Sequence, residues 1–301
     1  MTRSKLALAA CCLLPACAMA QPAEPAWAEA FDRLDPSLWQ VQLYSFPANG
    51  CDMVAGAVDA QASRLSLSVE LNAARAVDAQ KICSAGEVGS YRFFTYGLFT
   101  VRMKAPALPG GVSAFFLMNR WQPVDWEHQE IDIELLGSQP TAAQLTTHHF
   151  QNGGRDWKSA ATTVDLGFNF SLQWHDYAVL WTPEAVRWYV DGRALHVETR
   201  LVPHVPLQVR MNIYLGNPAE PGVAQWLGGI DPARLPARAQ FAGLAYYPLG
   251  ALPRSGPWAM PDASVRAPVS RAPWPAAAPS SPARPAAPAW PDGAGSRLPA
   301  P

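Results

Sequence analysis

Three acidic side chains fall within five positions of the stretch HQEIDIELLG, at Glu130, Asp132 and Glu134. Ile131 and Ile133 separate them, and no Lys or Arg stands inside the stretch. In a chain with 16% charged residues this is a local concentration of negative charge. β-branched residues in strict alternation with acids follow the period of a strand. Ile131, Ile133 and Leu135 then face a core, and the three carboxylates project from the opposite face. A strand with its acidic side in water would show the same alternation. Like charges on one face destabilise each other, however, and solubility does not require three in a row. The chemistry that uses such crowding is acid–nucleophile catalysis at a glycosidic bond. Neighbouring carboxylates cannot all ionise, so one keeps a proton to donate while another stays charged. Along a strand the Cα atoms of Glu130 and Glu134 lie about 13 Å apart. A retaining mechanism wants carboxyl groups about 5–5.5 Å apart, so the side chains must lean together on a curved sheet.

The elements around this stretch read as strands. RLSLSVEL places Leu65, Leu67, Val69 and Leu71 on one face, and YGLFTVRMK, SAFFLM, YAVLW and LQVRMNIYLG continue the pattern. Asp191-Gly192, inside AVRWYVDGRALHV, is a two-residue hairpin signal. No helical period runs beyond about ten residues in the body of the chain. Many short strands joined by close turns imply an all-β sandwich or barrel in a single body.

The ends differ from the body. Residues 1–20 combine Arg3 and Lys5 with an apolar run ending in Ala18-Met19-Ala20, which reads as a signal peptide too short for a membrane span. The stretch LPAC also permits a lipid anchor at Cys17, so cleavage after Ala20 and an outer-membrane lipoprotein are both open. Either reading exports the body to a secreted or periplasmic location. Residues 251–301 hold thirteen of the thirty prolines and read as a disordered tail, leaving residues 21–250 as the folded domain. The net charge is −1, to which the leader contributes +2 and the tail +3, so the body carries −6. That balance argues against a nucleic-acid partner. Past the leader only Cys51 and Cys83 remain, an even number in an oxidising compartment, and a disulfide between them is expected beside the alternative of two buried thiols.

EIDIELLG, preceded by Trp126, resembles the active-site strand of glycoside hydrolase family 16 in its lichenase-like form E-x-D-x-E. CSAGE, YGLFTVRMKAP, SAFFLM, VRWYVDG, RMNIYLG and WLGG follow the family's order over about residues 31–248. The resemblance implies a jelly-roll β-sandwich with a concave substrate cleft, and retaining endo-hydrolysis of a β-glucan-type polysaccharide. It implies Glu130 as nucleophile, Asp132 as the assisting acid and Glu134 as acid/base. Asn49, Glu87, Trp126, Asn212, Tyr214 and Trp226 are similar to substrate-contacting positions, and Cys51 and Cys83 to a disulfide pair. His148, in TTHHF, shares a face with Thr146 and is expected in the cleft, bonded to sugar or to Glu134, unless its role is structural. His149 points the other way, so the pair is not a metal site. Two departures stand out. Gly89 occupies a position where lichenases carry an arginine, and Thr146 and His148 replace an Asn and a Tyr. These leave the substrate open between β-1,3-1,4-glucan and a succinoglycan-like bacterial exopolysaccharide. A transglycosylase on the same fold, acting on xyloglucan or cell-wall glucan, and a non-catalytic carbohydrate-binding protein are the alternatives. Family members hold a structural calcium through an Asp near the last strand, where this chain has Ala242. No cofactor is therefore expected, calcium at that site is expected to be weak or absent, and the protein is expected to be a monomer.

Overall fold

In the computed structural model the described residues are 23–72, 81–119, 127–151, 156–220 and 222–259. The expected leader and the greater part of the expected tail lie outside them. In chain order the elements are β1 (Trp27–Glu29), β2 (Trp39–Val41), β3 (Cys51–Met53), β4 (Val58–Gln61), β5 (Arg64–Leu71), β6 (Cys83–Phe94), β7 (Gly97–Lys104), β8 (Gly111–Met118), β9 (His128–Leu136), β10 (Ala142–Gln151), β11 (Asp156–Asp165), β12 (His175–Trp181), β13 (Val186–Val190), β14 (Arg193–Glu198), β15 (Leu207–Leu215), the helix α1 (Val223–Leu227) and β16 (Ala237–Tyr247). No helix among the described residues is long and apolar enough to cross a membrane.

The strands form two leaves of a jelly-roll sandwich. One runs β11-β10-β9-β8-β15-β6 with β2 on its edge, and the other runs β5-β16-β7-β12-β13-β14. The long strand β6 serves both: Cys83–Ala85 pair with β5, and residues from Gly86 to Phe94 pair with β15. Pairing is antiparallel except where β3 meets β6 in parallel, and there Cys51 and Cys83 stand opposite each other and form the expected disulfide.

The core between the leaves contains the apolar half of every alternating pattern. Ile131, Ile133, Val209, Met211, Ile213, Phe115 and Leu117 come from one leaf, and Leu65, Leu67, Val69, Phe99, Val101, Val179 and Phe241 from the other. Each fully buried aliphatic side chain contributes about 1.5–3 kcal/mol. Slipping β9 by one residue would turn Ile131, Ile133 and Leu135 outward at a cost of about 5–9 kcal/mol, so the face that carries the acids is fixed. Asp191 and Gly192 both adopt positive φ, at 48° and 77°, and close the β13–β14 hairpin as its sequence anticipates. Ala62 and Ser63 do the same between β4 and β5, at 52° and 57°, with no glycine or asparagine to signal it.

The domain boundary needs moving. Packing continues past residue 250: Leu252 and Trp258 lie against Leu98, Ala178, Leu180 and Tyr189 on the outer side of the second leaf. Residues 251–259 therefore belong with the folded body, because that leaf presents an apolar patch for them to cover.

Candidate active site

The outer face of the first leaf is laid out in rows by strand register. Glu130, Asp132 and Glu134 on β9 face His148, Thr146 and Gln144 on β10. On the other side they face Met118, Phe116 and Ala114 on β8. Those three apolar residues form a small cluster of their own, separate from the main core. Beyond them, β15 places Gln208, Arg210 and Asn212 opposite Met118, Phe116 and Ala114. β6 completes two rows, with Gly89 opposite Arg210 and Glu87 opposite Asn212. An apolar strip thus separates an acidic group on β9–β10 from a second polar group on β15–β6. Strands lie about 4.8 Å apart, so Glu87 stands about 14 Å from the acidic strand.

Each acid has its own surroundings. The Glu130 side chain is 18% exposed, and its Oε2 lies 2.8 Å from His128 Nε2. An ionised carboxylate only accepts, so the imidazole N–H donates here. The His128 ring stacks on Phe150 at 4.7 Å between centroids, and His148 stacks on the same ring at 5.8 Å. Asp132 is 4% exposed. Its Oδ2 lies 3.4 Å from His148 Nε2, while the other ring nitrogen of His148 is 2.6 Å from Ser159 Oγ. The backbone carbonyl of Asp132 accepts from the buried indole of Trp188 at 3.0 Å, which ties β9 to the second leaf. Glu134 is 7% exposed and accepts from Gln144 Nε2 at 2.8 Å; Gln144 Oε1 in turn accepts from the Trp226 indole at 3.0 Å. Among the described residues one grouping could ligate a cation: donor atoms of Glu130, Asp132 and His148 all lie within 4.8 Å of one another.

The other expected site residues are placed as follows. His148 reaches the acidic row, where its Nε2 lies 3.4 Å from Asp132; antiparallel register puts it opposite Glu130 and two rows from Glu134. Glu87 is fully buried and accepts from Tyr44 Oη at 2.9 Å, Arg210 Nη1 at 3.0 Å and Asn212 Nδ2 at 3.1 Å. Burial pushes its carboxyl above the ordinary glutamate value, and Arg210 and the three donors oppose that rise. Burial and the neighbouring Glu87 hold the Tyr44 hydroxyl well above its usual value, so Tyr44 stays a donor. Asn49 is buried too, with Oδ1 accepting from the Cys51 amide and its carbonyl from Lys81 Nζ. Tyr214 shares the face of Asn212 and meets Phe46 edge-on at 5.3 Å. Trp226, on α1, is 6% exposed and directs its indole N–H at Gln144. The position of Trp126 lies outside the described residues.

Four residues of this face were not singled out by sequence reasoning: Gln144, Arg210, Tyr44 and Ser159. Period two would have found the first two, since Gln144 has the parity of Thr146 and His148, and Arg210 that of Asn212 and Tyr214. Tyr44 and Ser159 carry no comparable signal.

Residues 51–228 match the family described as glycosyl hydrolases family 16. Over 189 residues the chain is 36% identical to a beta-glucanase of Acetivibrio thermocellus, covering 62% of this chain and 52% of that relative. Over 234 residues it is 32% identical to a beta-glucanase of Brevibacillus brevis, covering 76% of this chain and 84% of that one. The chain thus spans about half the length of the first relative and most of the second. A solved prokaryotic beta-1,3-1,4-glucanase (lichenase) derived from a mouse hindgut metagenome superposes with a TM-score of 0.63 at 29% identity, over 74% of this chain and 99% of that structure.

Proposed function

The chain belongs to glycosyl hydrolases family 16, and from that premise we propose that it is a retaining endo-β-glycanase that cleaves β-1,3-1,4-glucan. The observation that carries the reading is the acidic strand itself. Glu130, Asp132 and Glu134 share one face of β9, and each carboxylate has a different neighbour: His128, His148 and Gln144. Two carboxyl groups in unlike surroundings can hold opposite protonation states, which a double displacement requires.

In the proposed reaction Glu130 attacks the anomeric carbon and forms a glycosyl ester. Glu134 gives its proton to the departing sugar oxygen as the glycosidic bond breaks. Glu134, now ionised, takes a proton from water, the hydroxide oxygen bonds to the anomeric carbon, and the ester to Glu130 breaks. Asp132, beside His148, positions the nucleophile and balances the charge that leaves it. The carboxylates supply both nucleophile and proton, so no cofactor takes part. The polar group of Glu87, Arg210, Asn212 and Tyr214 lies across the apolar strip and belongs to the binding of a chain that runs across the strands. With its leader removed, the enzyme would work outside the cytoplasm as a monomer.

Gly89 in place of an arginine, and His148 and Thr146 on the cleft face of β10, leave a second substrate class open, a succinoglycan-like bacterial exopolysaccharide. Reducing-end assays on barley β-glucan, laminarin, xyloglucan and a succinoglycan-type polymer separate these. New reducing ends from at least one polymer are expected, and Glu130→Gln should abolish them without unfolding the protein. Binding without cleavage across the whole panel would sink the enzymatic reading. NMR of the first-formed sugar should show retained anomeric configuration.

A further inference from the structure

The proposed acid/base does not stand alone. Gln144 sits directly opposite Glu134 on the neighbouring strand, and Trp226 reaches Gln144 from α1. All three side chains are more than nine-tenths buried. The orientation of a glutamine amide is settled by its partners, and here one partner leaves no choice. An indole N–H can only donate, so the Gln144 atom facing Trp226 must be the carbonyl oxygen. The NH2 group is then the part that faces Glu134, at 2.8 Å from Oε2. An NH2 group can only donate as well, and a carboxylic acid accepts best at its carbonyl oxygen. The transferable proton of Glu134 is thereby directed to Oε1.

We propose that Trp226 and Gln144 form a positioning relay that fixes which oxygen of Glu134 carries the catalytic proton. This rests on the reading of Glu134 as acid/base. Neither residue touches the reacting atoms in this scheme. Trp226, whose sequence position suggests a cleft wall, acts instead through Gln144. Without the indole N–H, the amide is free to turn its oxygen toward Glu134. A carbonyl there would hold the proton between the two residues and away from the leaving oxygen.

The seating of α1 supports a fixed relay. Its five residues begin after Gly222 and end at Gly228, both with positive φ near 80°. Leu227 carbonyl accepts from the Gly110 amide at 2.9 Å, and Gly110 carbonyl accepts from Gly216 at 2.8 Å. A Cβ on Gly216 would meet Val223 and lie 2.7 Å from Leu227 Cδ1, so the glycine gives α1 the room to lie against β15 and bring Trp226 to Gln144.

The test compares leaving groups. Trp226→Phe keeps the bulk and removes the N–H; Gln144→Met keeps the length and removes the donor. Each is assayed by kcat/KM, which reports glycosylation alone, on the cleaved polysaccharide and on a 2,4-dinitrophenyl β-glycoside of its oligosaccharide. A sugar alkoxide needs the proton of Glu134 to leave, whereas dinitrophenolate does not. Both variants should lose about 5- to 13-fold on polysaccharide, the upper part of the range for one neutral hydrogen bond, and stay within about threefold on the dinitrophenyl glycoside. On polysaccharide the loss should fall on kcat, with KM nearly unchanged. Equal losses on the two substrates would make the pair a structural support and overturn the proposal, as would full activity of both variants on polysaccharide. A wild-type protein inactive on both substrates overturns the hydrolase reading, and the relay with it.

Discussion

Arg210→Met removes the cation from the fully buried Glu87 while keeping most of the side chain's bulk. Losing one partner of a buried ion pair costs about 3–5 kcal/mol when the remaining charge has no escape. Here it has one, because the carboxyl can take a proton. Keeping a glutamate neutral at pH 7, against a free value of about 4.3, costs about 3.7 kcal/mol at about 1.36 kcal/mol per pH unit. That figure is a ceiling, since Tyr44 and Asn212 still donate to Glu87. At pH 5 the same ceiling falls to about 1 kcal/mol. The sign follows from burial: in the variant the folded carboxyl sits above its unfolded value, so stability is whole below about pH 4 and is lost as pH rises toward the folded value. Denaturant unfolding of wild type and variant at pH 5 and pH 7 measures the difference. The expected loss is about 2–3.5 kcal/mol at pH 7, or about 4–14 °C in Tm for a domain of this size, shrinking to about 1 kcal/mol or less at pH 5. Adding Glu87→Gln should remove most of the pH dependence. A loss equal at both pH values would refute the account, because it would assign the cost to packing around Arg210 rather than to the stranded carboxyl.

His128→Phe should keep the stack on Phe150 and lose the contact to Glu130, lowering kcat about 10- to 100-fold while Tm moves little; a Tm drop in proportion to the activity loss would mark His128 as merely structural. Gly216→Ala should cost about 1–3 kcal/mol through overpacking against α1, and should depress activity on polysaccharide more than on an activated aryl glycoside. Ending the chain after Ala259 should leave Tm within about 1 °C of the full chain, whereas ending it after Gly250 uncovers Leu98, Leu180 and Tyr189 and should lower Tm by about 3–10 °C. Thermal melts of the two truncations settle where the domain stops.

Alternation was the most informative property of the sequence, because a strand turns every second side chain to the same face. It placed Glu130, Asp132 and Glu134 together and Ile131 and Ile133 in the core, and it assigned His148 to the outer face. Parity says which face a residue occupies but not which residue on the next strand stands beside it. That depends on register, and register is set by the summed packing of whole strands. Hence alternation gave the face of the β10 histidine but not the acid, Asp132, that stands 3.4 Å from its ring there. The turn at Ala62-Ser63 was invisible for another reason, since neither residue type favours positive φ.

Gly89 shows the same limit from the other side. Along the chain it reads as a missing cation two residues from Glu87. Across the sheet the cation is present: β15 sets Arg210 opposite Gly89, and its guanidinium bonds Glu87. A Cβ at position 89 would lie 3.4 Å from Arg210 Cγ and 3.0 Å from Gln42 Nε2, so the glycine leaves room for the arginine that crosses from the neighbouring strand. An arginine at both positions would put two guanidinium groups beside one buried carboxylate, leaving one positive charge without a partner. The two positions are therefore coupled through the sheet. Gly89→Arg alone should destabilise the protein, and Gly89→Arg together with Arg210→Met should recover part of that loss if one cation beside Glu87 is what the fold requires. Denaturant unfolding of the two single variants and the double variant gives the coupling directly, and additive losses would show that the positions are independent.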